Sequence, residues 1–392
     1  MYKIFKIGLF FIFYFITLLS YSKGVVIKGI VFDEKENSPL ANTSVKVVNS
    51  YEGTLTNYDG EFKLILDSFP LPVKLIFSRL SYKSDTFVIL SEIENIIIKL
   101  TPLPIVLAEV NVKYIDPFKI LLQVSKKLYK YNNSHFYSKV FYKQTTLYDS
   151  LPVQYLELIF SAKTNNGKIE GSYIENGRYA QRKDGPFVQD FSKLIRGHRE
   201  FDKKNPGIYD PKNHKDYEIL STSFIDDKIM SIKFKYKPTN ANREIKIDTI
   251  NKLLIESSSE FETNIVQQMK DYEVLNQKMK LISKFKSIND NISSYEYVEI
   301  NFTMDLGKIN EPKRKVLISS IAYFYNTTSE LIKSVKYSKA LNSDNNDKEL
   351  IDKMKYDSSL WIDNPIIKRT QKEELIIQGF EKSKSFDTMI KE

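Results

Sequence analysis

The stretch from Val26 to Leu66 constrains this chain's fold more than any other part of it. Apolar residues alternate at Val45 and Val47, and again at Phe62, Leu64 and Leu66. That is the period of strands that bury one face. Between the runs stands Asn57-Tyr58-Asp59-Gly60. Asn tolerates positive φ, an Asp side chain can bond the backbone two residues on, and Gly takes conformations other residues avoid. Short strands joined by such turns predict a small antiparallel β-sandwich. None of these residues supplies a nucleophile, a base or a metal cage, so the stretch speaks to architecture rather than chemistry.

The same residues resemble the carboxypeptidase-regulatory-like domain, a prealbumin-type sandwich of about seven strands. The matching features are Gly29 with Val31 and Asp33, Pro39-Leu40 with Ala41 and Val45, and Gly53-Thr54 with Thr56-Asn57, Asp59-Gly60 and Phe62. The resemblance covers residues 24–112. One departure is visible: the family usually has Gly before the Tyr of a later strand, and here the pair is Ser81-Tyr82. In the family this domain accompanies metallocarboxypeptidases, outer-membrane TonB-dependent transporters and surface proteins of no assigned function. It implies a fold and no catalytic residues.

At the N-terminus, Lys3 and Lys6 precede an apolar run from Ile7 to Leu19, and Ser20-Tyr21-Ser22 offers small residues at the positions a signal peptidase inspects. Residues 1–22 read as a secretory signal peptide cleaved after Ser22. The run is short for a membrane span, which needs about 20 apolar residues. The chain has no Cys, which removes both a Cys-linked lipid anchor and disulfides, so an exported fold must rest on core burial. Tyr and Phe number 25 each against 13 Gly and 13 Pro, a balance that suits β-sheet. The net charge of +9 comes from 58 basic and 49 acidic residues scattered along the chain. No basic stripe accompanies a nucleic-acid motif, so nucleic acid is not an expected partner.

Leu100-Thr101-Pro102-Leu103-Pro104 reads as a stiff connection, followed by a strand at Val106–Val112 and a domain boundary near Lys113. The remaining residues, 113–392, read as an α+β domain. Asp116-Pro117 opens a helix, with Asp at the N-cap and Pro at the first helical position, and Phe118, Ile120, Leu121, Val124, Leu128 and Tyr131 fall mostly on one face. Strand signals follow at Phe136–Tyr148, Tyr155–Ser161, Ile169–Tyr173, Tyr217–Leu220, Ile229–Tyr236, Ile245–Asp248, Leu253–Phe261, Tyr295–Thr303 and Lys315–Tyr325. Long strands with short polar turns predict a curved antiparallel sheet with packed helices. Its hairpin rhythm loosely resembles the half-barrels of periplasmic lipoprotein carriers. Such a sheet either is filled by its own helix and side chains or leaves an apolar concavity for a lipid, an acyl chain or a peptide. Residues 177–213, rich in Gly and Pro, read as an inserted lid with a short helix at Phe187–Leu194, and Leu341–Lys348 as a polar loop.

Near the C-terminus, Trp361, Asn364, Lys368-Arg369-Thr370 and Phe380-Glu381 resemble the ending of exported bacterial proteins that pair a carboxypeptidase-regulatory-like domain with a domain of unknown function. Trp361, the only Trp, is expected to anchor its segment in a pocket, and Thr370 with Glu373 to form a capping box.

The three histidines, His135, His198 and His214, show no metal spacing, and no zinc motif of a metallocarboxypeptidase is present. His198 is the best chemical candidate because its Arg-Gly-His-Arg setting is polar. Gly-x-Ser-x-Gly elbows and phosphate loops are missing. Asp226-Asp227 and Glu373-Glu374 are adjacent acidic pairs of the kind usually solvated. Asn57-Tyr58-Asp59-Gly60 is too short for a calcium loop. The expectation is therefore a mainly β protein: a seven-stranded antiparallel sandwich followed by a curved, half-barrel-like antiparallel sheet with packed helices. No catalytic, cofactor-binding or metal residues are assigned, and no cofactor is expected. The expected role is non-enzymatic binding or scaffolding in the periplasm or outer membrane of a Gram-negative bacterium, with an envelope protein or outer-membrane component as partner. A lipid or glycan carrier is the alternative, and a hydrolase with an unrecognised acidic pair the third reading.

Overall fold

The computed structural model describes residues 25–66, 71–90, 93–103, 116–182, 190–331, 335–339, 347–354, 360–361, 366–383 and 386. The chain divides into two compact units, residues 1–101 with 366–368, and 102–365 with 369–392. The expected signal segment, the strand at 106–112 and the boundary near Lys113 lie outside the described residues.

The smaller unit contains strands β1 (Val25–Asp33), β2 (Ser44–Val47), β3 (Gly53–Leu55), β4 (Glu61–Leu66), β5 (Val73–Ser78), β6 (Asp85–Ile89) and β7 (Ile93–Leu100). They form two sheets, β4-β1-β7 and β3-β2-β5-β6. β1 and β7 run parallel, whereas β1 and β4 run antiparallel. The alternating residues close one core: Ile27, Val31, Val45, Phe62, Leu64, Leu66 and Phe77 are all buried.

The turn at Asn57–Gly60 works differently from the expectation in one respect. The Asn57 side chain, not that of Asp59, bonds the backbone: its Oδ1 accepts from the N–H groups of Asp59 (3.0 Å) and Glu61 (2.9 Å). Gly60 takes φ +73°, and a Cβ there would meet Val31 O at 2.6 Å, so only Gly fits. Asp33 Oδ1 accepts from the N–H groups of Lys35 and Glu36, and its Oδ2 from the Tyr82 hydroxyl at 2.8 Å. The hydrogen bond from Glu36, followed by that from Tyr82, lowers the pKa of Asp33. Ser81 adopts φ +68°. The departure noted in the sequence thus places a side chain where the backbone is left-handed and Gly would be at ease.

Among the described residues the larger unit carries one curved sheet of eleven strands. These are β8 (Phe136–Tyr148), β9 (Leu151–Asn165), β10 (Lys168–Gln181), β11 (Tyr217–Phe224), β12 (Ile229–Tyr236), β13 (Ala241–Asp248), β14 (Leu253–Thr263), β15 (Gln267–Met269), β16 (Tyr272–Asn289), β17 (Ile292–Lys308) and β18 (Arg314–Thr328). Their order is β10-β9-β8-β18-β17-β16-β14-β13-β12-β11, with β15 paired to β16. β10 runs on through Gln181, so the insertion starts later than position 177. Residues 187–189 of the helix expected at Phe187–Leu194 and residues 341–346 of the expected loop lie outside the described residues; a helix is seen at Ser192–Arg196, and Asp347 and Lys348, read as loop, begin a short helix, Asp347–Ile351.

The core face of this sheet is largely filled by the chain itself. Helix α1 (Pro117–Lys130) is capped as its sequence predicts, with Asp116 Oδ1 accepting from Phe118 N–H at 2.9 Å. It buries Ile120, Leu121, Val124 and Leu128 in the main core, beside Phe191, Ile195, Phe201 and Ile208 from the insertion. The opposite face of β8 and β9 is covered as well. There the C-terminal helix Gln371–Lys382 packs Ile376, Ile377 and Phe380 against Leu147 and Tyr155. Its Thr370–Glu373 capping box is present. Two covered faces explain why β8 and β9 lack a clean inside–outside alternation of polarity.

Candidate functional site

Beyond the filled part of the core face, an apolar cavity of about 500 Å³ opens at the end of β16 and β17. Its floor is built by the period of β17, which points Phe302, Met304 and Leu306 to one side. Val274 on β16 pairs with Leu306 in the ladder and lines the cavity beside it. The outer wall is β15, whose Gln267 and Met269 lie opposite Val274 and Tyr272. Phe191 from the insertion meets Phe302 edge-on, with ring centroids 5.6 Å apart.

A bulge supplies the polar element of this cavity. The β16–β17 register shifts between Leu275 and Lys278, and Asn276 adopts φ +48°. Bulges re-aim side chains, and Gln277 here lines the cavity. Its Nε2 is shut off from solvent and has no hydrogen-bond partner. The rim carries Lys270 and Asp271 in the turn between β15 and β16, and Met269 is 49% exposed. Ile265 (71%) and Val266 (51%) stand exposed in the connection leading to β15. Two methionines suit a site that adapts to its occupant, since Met is flexible and polarizable. The arrangement offers an apolar slot with the shielded Gln277 amide in its wall and a polar rim that includes Lys270 and Asp271.

The three histidines do not come together. His198 Nε2 lies 2.7 Å from Ser283 Oγ on β16, and burial followed by the nearby Arg243 charge lowers its pKa to about 4. His214 Nε2 lies 3.0 Å from Ile208 O, and its ring stacks on Phe118 at 4.1 Å. His135 Nδ1 lies 3.0 Å from Glu170 on the edge of the sheet. No cluster of metal-ligating side chains occurs among the described residues. One member of each acidic pair has a structural role. Asp226 Oδ1 accepts from the N–H groups of Lys228 and Ile229, and Glu373 caps its helix and pairs with Lys143.

The residues of the C-terminal signature form a latch. Glu157 on β9 is fully buried and accepts from Arg178 Nε (2.7 Å), Arg369 Nε (3.0 Å) and the Tyr155 hydroxyl (2.8 Å). Burial opposes its ionisation, but Arg178 and Arg369 outweigh that and lower its pKa. Arg369 Nη2 also donates to Trp361 O at 2.7 Å, and Trp361, 1% exposed, lies under the Arg178 guanidinium. Trp361 is the anchor its sequence position suggests.

Comparison with known proteins bears on the smaller unit. Residues 27–112 match the model of the CarboxypepD_reg-like domain. These residues are a CarboxypepD_reg-like domain. No curated protein matches the chain. A crystal structure of a 9R-lipoxygenase from Cyanothece PCC8801 is similar over 42% of this chain and 43% of that one. Identity is 10% and the TM-score 0.17, too low to carry any argument about fold or function.

An apolar concavity is one of the two readings of the sheet, but its place and lining were not legible beforehand. β15 and β16 were missed because Lys278, Lys280, Lys284 and Lys286 make the segment look polar, and because the bulge breaks its alternation. The detectable signal was the pair Ile265-Val266 followed by Met269, Tyr272 and Val274, apolar residues with no other evident use.

Proposed function

We propose that this protein is an exported, non-enzymatic binding protein of the Gram-negative envelope whose curved sheet holds a single acyl chain. The observation that carries the proposal is the cavity of about 500 Å³ floored by Phe302, Met304 and Leu306, with the unpartnered Gln277 amide in its wall. Its volume falls in the range of small-molecule sites, which are apolar with few polar groups. The Gln277 amide would donate to the carbonyl or carboxyl oxygen of the ligand's head.

Export to the periplasm or outer membrane is supported by the two lysines, the apolar run and the small residues at positions 20–22. The CarboxypepD_reg-like domain would serve as the contact with an envelope protein or other outer-membrane component. β6 supports that role: it is an edge strand in its sheet, and its Phe87 and Val88 are exposed. Exposed apolar edges accept added strands. A non-enzymatic role accords with the dispersed histidines and the structural use of one member of each acidic pair.

Native mass spectrometry of protein isolated gently from envelope fractions tests the proposal. One acyl-containing lipid per chain is expected, lost when Met304→Trp fills the cavity. Protein recovered empty, or lipid retained by the folded Met304→Trp variant, would overturn it.

A further inference from the structure

A second cavity, of about 450 Å³, lies between the insertion and strands β11 to β14, and shares no lining residue with the first. We propose that it binds a neutral saccharide.

Its charges are balanced and already paired. Arg243 Nη2 donates to Glu200 Oε1 at 2.9 Å, and Arg199 Nη1 to Asp202 Oδ2 at 2.6 Å. Two guanidinium groups and two carboxylates favour neither an anion nor a cation, because each would meet a like charge. The Glu200 carboxylate is buried, but the Arg199–Asp202 pair presents a donor and an acceptor side by side at the rim. A sugar hydroxyl both donates and accepts, so it is the ligand group that uses such a wall fully.

The remaining lining fits the same chemistry. Tyr217 and Tyr236 both line the cleft, with centroids 5.0 Å apart and planes tilted by 35°. Aromatic rings with a polar tip suit the C–H faces and hydroxyl rims of a pyranose. Behind them the Tyr209 hydroxyl donates to Glu200 Oε1 at 3.0 Å, fixing that carboxylate. Arg243 Nε is shielded from solvent and has no partner, a donor left over after the ion pair is made.

Saturation-transfer NMR with the full chain tests this, using maltotetraose and cellotetraose as α- and β-linked neutral probes. Binding of at least one is expected, weakened about tenfold by Arg199→Gln, which removes a charged hydrogen-bond donor. Tyr236→Ala should weaken it about fivefold by removing a ring face. Arg199 is exposed, so its variant should fold as the parent does. Acyl-chain binding should be unchanged in both variants. Failure of both probes to bind, binding indifferent to both substitutions, or competition by inorganic phosphate would overturn the saccharide assignment.

Discussion

Replacing Gln277 with Met should make the empty protein more stable and a worse binder. In the parent, an amide nitrogen is sealed from solvent without a partner. Leaving such a group unsatisfied costs about 1–3 kcal/mol, while a flexible thioether of similar length fills the same space without that penalty. The empty variant should therefore gain about 1 kcal/mol, near 2 °C in the midpoint of the larger unit's unfolding. The bound state changes in the other direction. Loss of the hydrogen bond to a ligand carboxyl removes about 1.5 kcal/mol, roughly tenfold in affinity. Differential scanning calorimetry with and without dodecanoate reads both effects in one experiment. A variant that is less stable when empty, or that binds dodecanoate as tightly as the parent, would refute the reasoning.

Three further outcomes follow from the folded units. Ser81→Gly should stabilise the CarboxypepD_reg-like domain by about 0.5–1 kcal/mol in urea unfolding, because relief of the left-handed strain exceeds the added freedom of the unfolded chain. Glu157→Ala should lower stability by about 3–5 kcal/mol, since it strands two buried guanidinium groups, and limited proteolysis should then release the C-terminal segment. His198 has a folded pKa near 4, below its unfolded value of about 6.5. The unfolded chain thus binds the extra proton first as pH falls, so the contribution is complete above pH ~6.5 and is lost toward pH ~4. Denaturation midpoints across that range should flatten in His198→Gln.

Where one rule governed a segment, the sequence was readable. Alternation and turn chemistry located the sandwich strands, and Asp116-Pro117 and Thr370 with Glu373 marked helix starts that the structure repeats. Legibility failed where two demands met. β8 and β9 serve cores on both faces, so their polar residues, such as Glu157 and Lys143, are buried partners of the C-terminal segment rather than a solvent face. β16 carries a bulge at the place where the cavity needs Gln277, and the same bulge hid the strand. Ser81 shows the reverse: a departure visible in the sequence that acquires physical meaning only once its φ is known.

The central claim, that the cavity floored by Phe302, Met304 and Leu306 holds an alkyl chain, is tested most directly by calorimetric titration with saturated carboxylates of increasing length. Affinity should rise about fourfold per added methylene, the value of burying one CH₂, and then level off once the cavity is full. Affinity independent of chain length from the shortest member onward would contradict it.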